Sequence, residues 1–488
     1  LVNGKPDLSV VIRLAPDEAE YWVFKDVSAF KGKTIKITYD GNEKGLSKIY
    51  QSDEIEGQAE LYKEKNRPQF HFTTRRGWIN DPNGLIYYEG EYHLFYQHNP
   101  FERDWENMHW GHAVSKDLIH WTELPDALYP DHLGTMFSGS AVIDYDNTAG
   151  FNKGKTPAMV AAFTAASSDR QVQGIAYSLD KGRTFTKYDK NPVINSKEKW
   201  NSQDTRDPKV FWYAPSKHWV LVLNERDGHS IYTSSNLKDW KYESHVTGFW
   251  ECPELFELPV DGDKNHTKWV MYGATGTYML GSFDGKVFTP EAGKYCYTTG
   301  SIYAAQTFTN IPASDGRRIQ IGWGRIPHPG MPFNGMMMLP TELTLRTTKD
   351  GIRLVNVPVK EVESLCKPLR SWKSLSSDEA NRHLKEFYDA DCLRIKTTIK
   401  LSHATDAGFN LFGQRMIGYD MNSNTLNGRF YSPQDPTSME LSADIYIDRT
   451  SIEVFIDGGL YSYSMERRPD TNNREGLHFW GNRMEAKD

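Results

Sequence analysis

Four short stretches recur along the middle of the chain: "SKDLIHW" from Ser115, "SLDKGRTF" from Ser178, "SSNLKDW" from Ser234 and "SFDGKVF" from Ser282. Each is a serine, then an Asp or Asn turn, then an aromatic residue on the next apolar run. Their spacing is roughly 50 to 60 residues, the length of one four-stranded propeller blade with its turns. From about residue 67 to 345, short aromatic and aliphatic runs alternate with Gly, Asp and Asn, and helical periodicity is nearly absent. About 280 residues at this spacing make about five blades. The expectation is an all-β protein with a five-bladed β-propeller at residues 67–345.

The flanks read differently. In residues 346–488, charged stretches such as "VPVKEVESL" and "SSDEANRHLKEFYDADC" give way to alternating runs, "LRIKTTIKL", "ADIYIDRTSIEVFID" and "GLYSYSM". This is the pattern of a carboxy-terminal β-sandwich. Residues 1–66 contain strand-like "LSVVIRL" and "TIKITYD" and close on the polar "KEKNRP", which predicts a small accessory β segment.

Composition excludes several classes. A formal net charge of −7 and a pI near 6.1 argue against a nucleic-acid partner, which would show as a basic face. No apolar run of about 18 residues offers a membrane span. Cys252, Cys296, Cys366 and Cys392 form no CxxC pair, so neither a zinc nor a redox site is expected. The chain starts at Leu1 rather than Met, which suggests a processed or omitted leading segment. The aromatic fraction of 13% fits both a β-sheet core and stacking platforms for sugar rings.

Three acidic motifs lie on the expected propeller. Asp81 sits in "WINDPNG", read as a turn ahead of a hairpin whose strands "IYY" and "YHLFY" flank "EGE"; Asp207 sits in "SQDTRDPKVFW" and Glu251 in "GFWECPELF". Each has a proline close by, which alone would be ordinary turn punctuation. The inner strands of a propeller converge on one channel, so acids far apart in the chain can meet there. "FSGSA" lacks the GxSxG elbow of a serine hydrolase, and "GATGTYMLG" is a poor phosphate loop. Asn265 in "NHT" is a glycosylation acceptor only in a host that glycosylates secreted proteins.

Taken in order, "WINDPNG", "FSGS", "RDPKVFW" and "ECPELF" resemble the signatures of glycoside hydrolase family 32, the invertases, inulinases and levanases, and "DRTSIEVFIDGG" from Asp448 resembles that family's sandwich. The resemblance covers about residues 67 to 488. It implies hydrolysis of a fructosyl bond with retention, with two carboxyl groups about 5–5.5 Å apart and no metal or cofactor. Asp81 would be the nucleophile, Glu251 the acid/base and Asp207 the transition-state stabiliser. Glu251 must carry a proton to donate, which neighbouring carboxylates would favour, while Asp81 must stay ionised. Asn80, Gln97, Trp105, Phe137, Ser138, Arg206 and Trp323 would line the sugar pocket, with Asn83 orienting the loop. Glu254 reads as a supporting acid and Cys252 as a packed neighbour without chemistry of its own.

One stretch departs from the family. "CYTTGSIYAAQTF" from Cys296 keeps Tyr303 and Gln306 but has Ser301 where an acid is common, so one carboxylate contact to the sugar is absent from the expected set. The implied substrates are β-fructans (levan or inulin), trimmed from the end, and sucrose; endo-levanase and sucrose-specific invertase are alternatives. A non-catalytic fructan-binding propeller is the rival of another class, and the intact trio of acids disfavours it. Because a polymer cannot cross a membrane unaided, a periplasmic, cell-surface or secreted location follows.

Overall fold

The computed structural model describes residues 1–5, 7–41, 43–400, 406–411, 413–430, 440–468, 477–481 and 485–487. Strand follows strand in successive antiparallel groups. The first is Gly77–Tyr88, Glu91–Asn99, His109–Ser115 and Trp121–Leu128; the second Thr135–Asp144, Ala158–Ala166, Gln171–Ser178 and Thr186–Lys187. The third is Thr205–Tyr213, His218–Glu225, Gly228–Ser234 and Lys241–Thr247; the fourth Glu254–Val260, Asp263–Tyr272, Thr277–Phe283 and Phe288–Cys296. Ile302–Thr307, Arg318–Gly324, Thr341–Thr348 and Gly351–Pro358 complete a fifth. This is a five-bladed propeller followed by a β-sandwich.

The sequence repeat marks one place in every blade, the turn from third strand to fourth. Ser115, Ser178 and Ser234 close third strands, and their hydroxyl oxygens accept from the amides of Asp117 (3.1 Å), Asp180 (3.4 Å) and Asn236 (3.1 Å). In the fifth blade a threonine makes the same bond at the start of a tighter, two-residue hairpin: Thr348 Oγ1 accepts from Asp350 N at 3.2 Å. A search for serine therefore passes over it.

Apolar side chains fill each seam between blades. Phe95 and Trp110 meet Met136 and Phe163; Val160 and Ile175 meet Val210 and Leu221; Val220 and Val222 meet Leu255 and Met271. Phe256 and Val270 meet Leu343 and Leu345, and Ile79 and Leu94 meet Phe308 and Ile319, which closes the ring. Burying one such side chain is worth about 1.5–3 kcal/mol, so the seams hold the ring together. Polar links tie the inner strands to one another at the axis. Gln306 accepts from Leu85 N (3.1 Å) and donates to Gly139 O (2.9 Å), joining blades five, one and two. Ser140 Oγ donates to Pro208 O at 2.8 Å, and the buried Lys209 ammonium lies 2.6 Å from Glu254.

Among the described residues, the sandwich packs a sheet of six of its own strands, extended by Thr298–Gly300 as a seventh, on a five-stranded sheet around Phe409, Ile417, Ile445 and Val454. Its acidic stretch "SSDEANRHL" forms the helix Ser377–Leu384, started by a capping box between Ser376 and Glu379. Parts of the expected sandwich, residues 401–405, 412, 431–439, 469–476, 482–484 and 488, lie outside the described residues. Among the contacts that fasten it to the propeller are a strand pairing and a buried charge cluster. Thr298–Gly300, between blades four and five, runs parallel to Tyr461–Glu466. His71 lies buried between Asp448 (Nδ1–Oδ2 2.8 Å) and Glu453 (Nε2–Oε1 2.7 Å), and Asp448 also accepts from the amides of Gln69 (2.8 Å) and Phe70 (3.1 Å). Burial alone would lower the His71 pKa, but the two carboxylates raise it to about 9.

Residues 1–66 differ from expectation. Among the described residues they form short 3₁₀ turns at Ser28–Phe30, Glu43–Lys48 and Gln58–Glu60, with isolated bridges and no extended strand. The reason lies in their partners. The run "LSVVIRL" lies against the first blade, where side chains satisfy its backbone: Val11 N donates to Asn107 Oδ1 (2.7 Å), and Asn107 Nδ2 donates back to Val11 O (2.7 Å).

Candidate active site

The motif "WINDPNG" is part of the strand Gly77–Tyr88 rather than a turn before it. The turn of this hairpin is Glu89–Gly90, both at positive φ, as a type I′ turn requires. Pairing of Gly77–Tyr88 with Glu91–Asn99 slips between Ile79 and Pro82, so Asp81 sits on a bulge. The same device recurs around the ring. Pairing in blade two skips Ser138, between Phe137 and Gly139. In blade three it slips between Arg206 and Lys209, around Asp207, and in blade five between Tyr303 and Gln306. In blade four, Glu251 and Cys252 precede the inner strand with φ of 51° and 43°, and Asp207 has φ of 68°. Bulges and left-handed backbone re-aim side chains, and here they point one group from each inner strand at the axis.

The groups meet. Ser138 Oγ donates to Asp81 Oδ2 at 2.7 Å, and Asn80 Nδ2 donates to Asp81 Oδ1 at 3.1 Å. Cys252 donates its amide to Asp207 Oδ2 at 3.0 Å, while its Sγ lies 3.6 Å from Asp81 Oδ2 and 3.7 Å from Asp207 Oδ2. Glu251 is held from both sides: Arg206 Nη2 donates to Oε1 at 2.7 Å, and the Tyr303 hydroxyl donates to Oε2 at 2.5 Å. Asn224 Oδ1 accepts from the Glu251 amide at 2.8 Å and so fixes its unusual backbone.

Burial governs the charges. It raises the Asp81 pKa above the ordinary carboxylate value, with Glu251 adding to the effect while Ser138 and Asn80 oppose it. Burial pushes Asp207 up to about 7, with Asp81 and Glu251 adding and the Arg206 guanidinium opposing. The Cys252 thiol is driven far above its usual value by the same burial and by the acids around it. Oxygens of Asp81 and Asp207 and the Cys252 sulfur lie within 4.8 Å of one another, the one grouping of metal-ligand type among the described residues, and hydrogen bonds from Ser138 and the Cys252 amide already engage them. Several carboxyl groups crowded into a partly buried site with one guanidinium suit chemistry that needs an acid and a carboxylate at once.

Of the expected pocket residues, Asn80, Ser138 and Arg206 touch the acids directly. Gln97 is buried one layer behind. With the Asn83 amide oriented to satisfy its neighbours, Asn83 oxygen accepts from Gln97 Nε2 (2.9 Å) and its nitrogen donates to Ser138 Oγ (3.2 Å). Phe137 and Trp105 form an edge-to-face pair at 5.7 Å, with Trp105 half exposed. Trp323 stands edge-on to Trp78 (5.8 Å) and to Tyr303 (6.3 Å), and its buried indole N–H has no partner among the described residues. Glu254 pairs with Lys209 and accepts from Thr307, away from the other acids.

Residues 71–358 match the family described as glycosyl hydrolases family 32 N-terminal domain. The chain belongs to glycoside hydrolase family 32. It is therefore a glycoside hydrolase, in a family whose characteristic mechanism is retaining. It is similar to the levanase of Bacillus subtilis, 42% identical over 86% of this chain and 69% of that protein. It also resembles the extracellular exo-inulinase of Aspergillus niger, 36% identical over 84% of this chain and 91% of that protein. Among solved structures, the exo-inulinase of Aspergillus awamori matches with a TM-score of 0.73 and 30% identity, covering 87% of this chain and 98% of that one.

Three residues of this family 32 site escaped the sequence reading. Tyr303, which the sequence shows only as a retained residue of its motif, holds Glu251. Cys252 was read as packing, yet its amide and thiol bridge Asp207 and Asp81. Trp250, 40% exposed, lies under the Arg206 guanidinium at 5.0 Å. The signal was available for Tyr303 in the slip that the small residues of "YAAQ" allow, but no single-strand pattern predicts a bulge partner.

Proposed function

We propose that this family 32 enzyme is a retaining β-fructosidase that releases terminal fructose from β-fructans such as levan or inulin, with sucrose as a poorer substrate. The observation that carries the reading is the meeting of Asp81, Asp207 and Glu251 at the propeller axis with Arg206, Ser138 and Tyr303 as their donors. Asp81 attacks the anomeric carbon while Glu251 gives its proton to the leaving oxygen. Glu251 then takes a proton from the water that releases fructose from Asp81, which keeps proton and bond counts balanced. Asp207 binds fructose hydroxyls through the charged transition state. Asn80, Ser138, Arg206, Trp105, Phe137 and Trp323 form the sugar pocket, and Gln97 acts through Asn83. No metal or cofactor enters this scheme.

Relatives named levanase and exo-inulinase support the substrate class and the exo mode, and the word extracellular in the name of the Aspergillus niger protein supports a location outside the cytoplasmic membrane. No helix among the described residues is long and apolar enough to cross a membrane. The chain divides into 1–66, a propeller from 67 and a carboxy-terminal sandwich. Pairing of Gly351–Pro358 with Thr341–Thr348 and a family match ending at 358 support placing the propeller's end at 358 rather than 345. A chromatogram of early products from levan and inulin tests the function. Free fructose alone is expected; a ladder of oligosaccharides would mean endo action, and activity confined to sucrose would mean invertase.

A further inference from the structure

Residues 1–66 lie outside the family match, and one part of them grips one loop of the site. Residues 100–108, between Glu91–Asn99 and His109–Ser115, carry Trp105. Next to Trp105 in the same loop, Glu102 is a carboxylate only 5% exposed. Every hydrogen bond that its oxygens accept among the described residues comes from the amino-terminal segment: from Arg13 N (2.6 Å), Nε (3.3 Å) and Nη2 (2.9 Å), and from the Tyr21 hydroxyl (2.8 Å). Arg13 also reaches Asp104 (2.6 Å), Glu20 pairs with Arg103 (2.8 Å), the Arg103 guanidinium lies 4.8 Å from the centre of the Tyr21 ring, and Asn107 is bonded twice to Val11. Residues on both sides of Trp105 are thus tied to residues 11–21, while Trp105 itself stays half exposed against Phe137, the neighbour of Ser138.

A buried carboxylate without partners is strongly unfavourable, so Glu102 cannot keep this position if Arg13 and Tyr21 withdraw. We propose that residues 11–21 are a positioning brace for the Trp105 loop, and that they set how tightly the fructosyl unit is held. The inference rests on the function proposed above. A surface arginine would ordinarily be worth little, but Arg13 acts here through a buried acid next to a sugar-facing indole. The predicted signature is loss of uniform binding, in which KM rises and kcat is nearly kept.

The experiment is a double-mutant cycle on the full chain. Arg13→Ala with Tyr21→Phe should raise KM for sucrose and for a fructo-oligosaccharide about 3–10-fold, with kcat within about twofold, because neighbours that share a contact are energetically coupled. In a Trp105→Ala background the same pair should change KM by less than about 1.5-fold, because the residue it positions is gone. Glu102→Gln approaches the same contact from the loop side and should reproduce the KM effect. An unchanged KM, or an equal rise with and without Trp105, overturns the brace. Turnover that survives Asp81→Ala would instead overturn the functional reading, so the two failures are separable.

Discussion

At the propeller axis, Asp207 is buried and Asp81 half-buried, with one guanidinium nearby, Arg206, that is bonded to a third acid. At the junction with the sandwich, Asp448 and Glu453 are buried on either side of His71. Both places gather carboxyl groups around one cationic side chain, and the carboxyl groups respond in opposite directions. Burial dominates at the axis and pushes both aspartates above their ordinary range. At the junction burial would also raise Asp448, but bonds to His71 and to the amides of Gln69 and Arg449 hold it below that range. A buried acid supplied with a cation is a fastening; one left short of cations costs stability and holds chemistry ready.

The largest expected effect tests the axis. Asp81→Ala or Glu251→Ala should lower kcat by at least about 10²–10⁴-fold, the usual worth of acid–base catalysis alone, while thermal stability is kept or rises. Wild-type turnover in either variant would break the comparison on that side.

The junction should answer in the other currency. His71→Ala leaves two carboxylates buried without their cation, which costs about 3–5 kcal/mol, and kcat per folded molecule should not change. A urea midpoint equal to wild type would mean that the junction is no fastening.

Smaller effects come from pH. The folded His71 pKa of about 9 lies above its ordinary 6.5, so its contribution is complete below 6.5 and is lost as pH rises through about 9. Asp448, held low, contributes above the ordinary carboxylate value and loses this as pH falls. Between about pH 6 and about pH 10 the wild-type urea midpoint should therefore fall more steeply than that of His71→Ala.

Asp207 shares the sign of His71 and has the reverse of Asp448. Its pKa rises from 3.8 to about 7 in the fold, so its stabilising effect exists below 3.8 and is lost as pH rises through about 7. Asp207→Asn should gain melting temperature over wild type by more at about pH 8 than at about pH 5, alongside its loss of turnover. A gain independent of pH would show that burial of this charge is not what strains the site.

The propeller was legible because its repeat is chemical as well as spatial: Ser115, Ser178 and Ser234 each cap a turn that the aromatic after it completes. Thr348 performs the same task with a different letter, and the spacing alone supplied the fifth blade. The acids were legible as a set through their motifs, but their placement was not. Asp81-Pro82 and Asp207-Pro208 read as turns because proline interrupts a strand pattern, and a bulge inside a strand leaves the same trace. Contacts that depend on two distant segments left no mark in either one. The His71 junction joins residues more than 370 positions apart, and the strand-like "LSVVIRL" gave no sign that side chains of blade one, rather than another strand, would satisfy its backbone.

The bulged inner strands have a second consequence. Seen from the channel, each is a border of its sheet over most of its length, neighbouring a further strand only at Gly77–Trp78 in blade one and Val260 in blade four, and such a border could recruit a strand from another molecule. Proteins discourage such addition with irregular pairing, prolines and charges turned toward the opening. Asp81-Pro82, Asp207-Pro208 and Glu251-Cys252-Pro253 supply all three. The features that gather the acids also discourage addition at the borders, so protection against aggregation and the arrangement of the proposed catalytic groups rest on the same few residues.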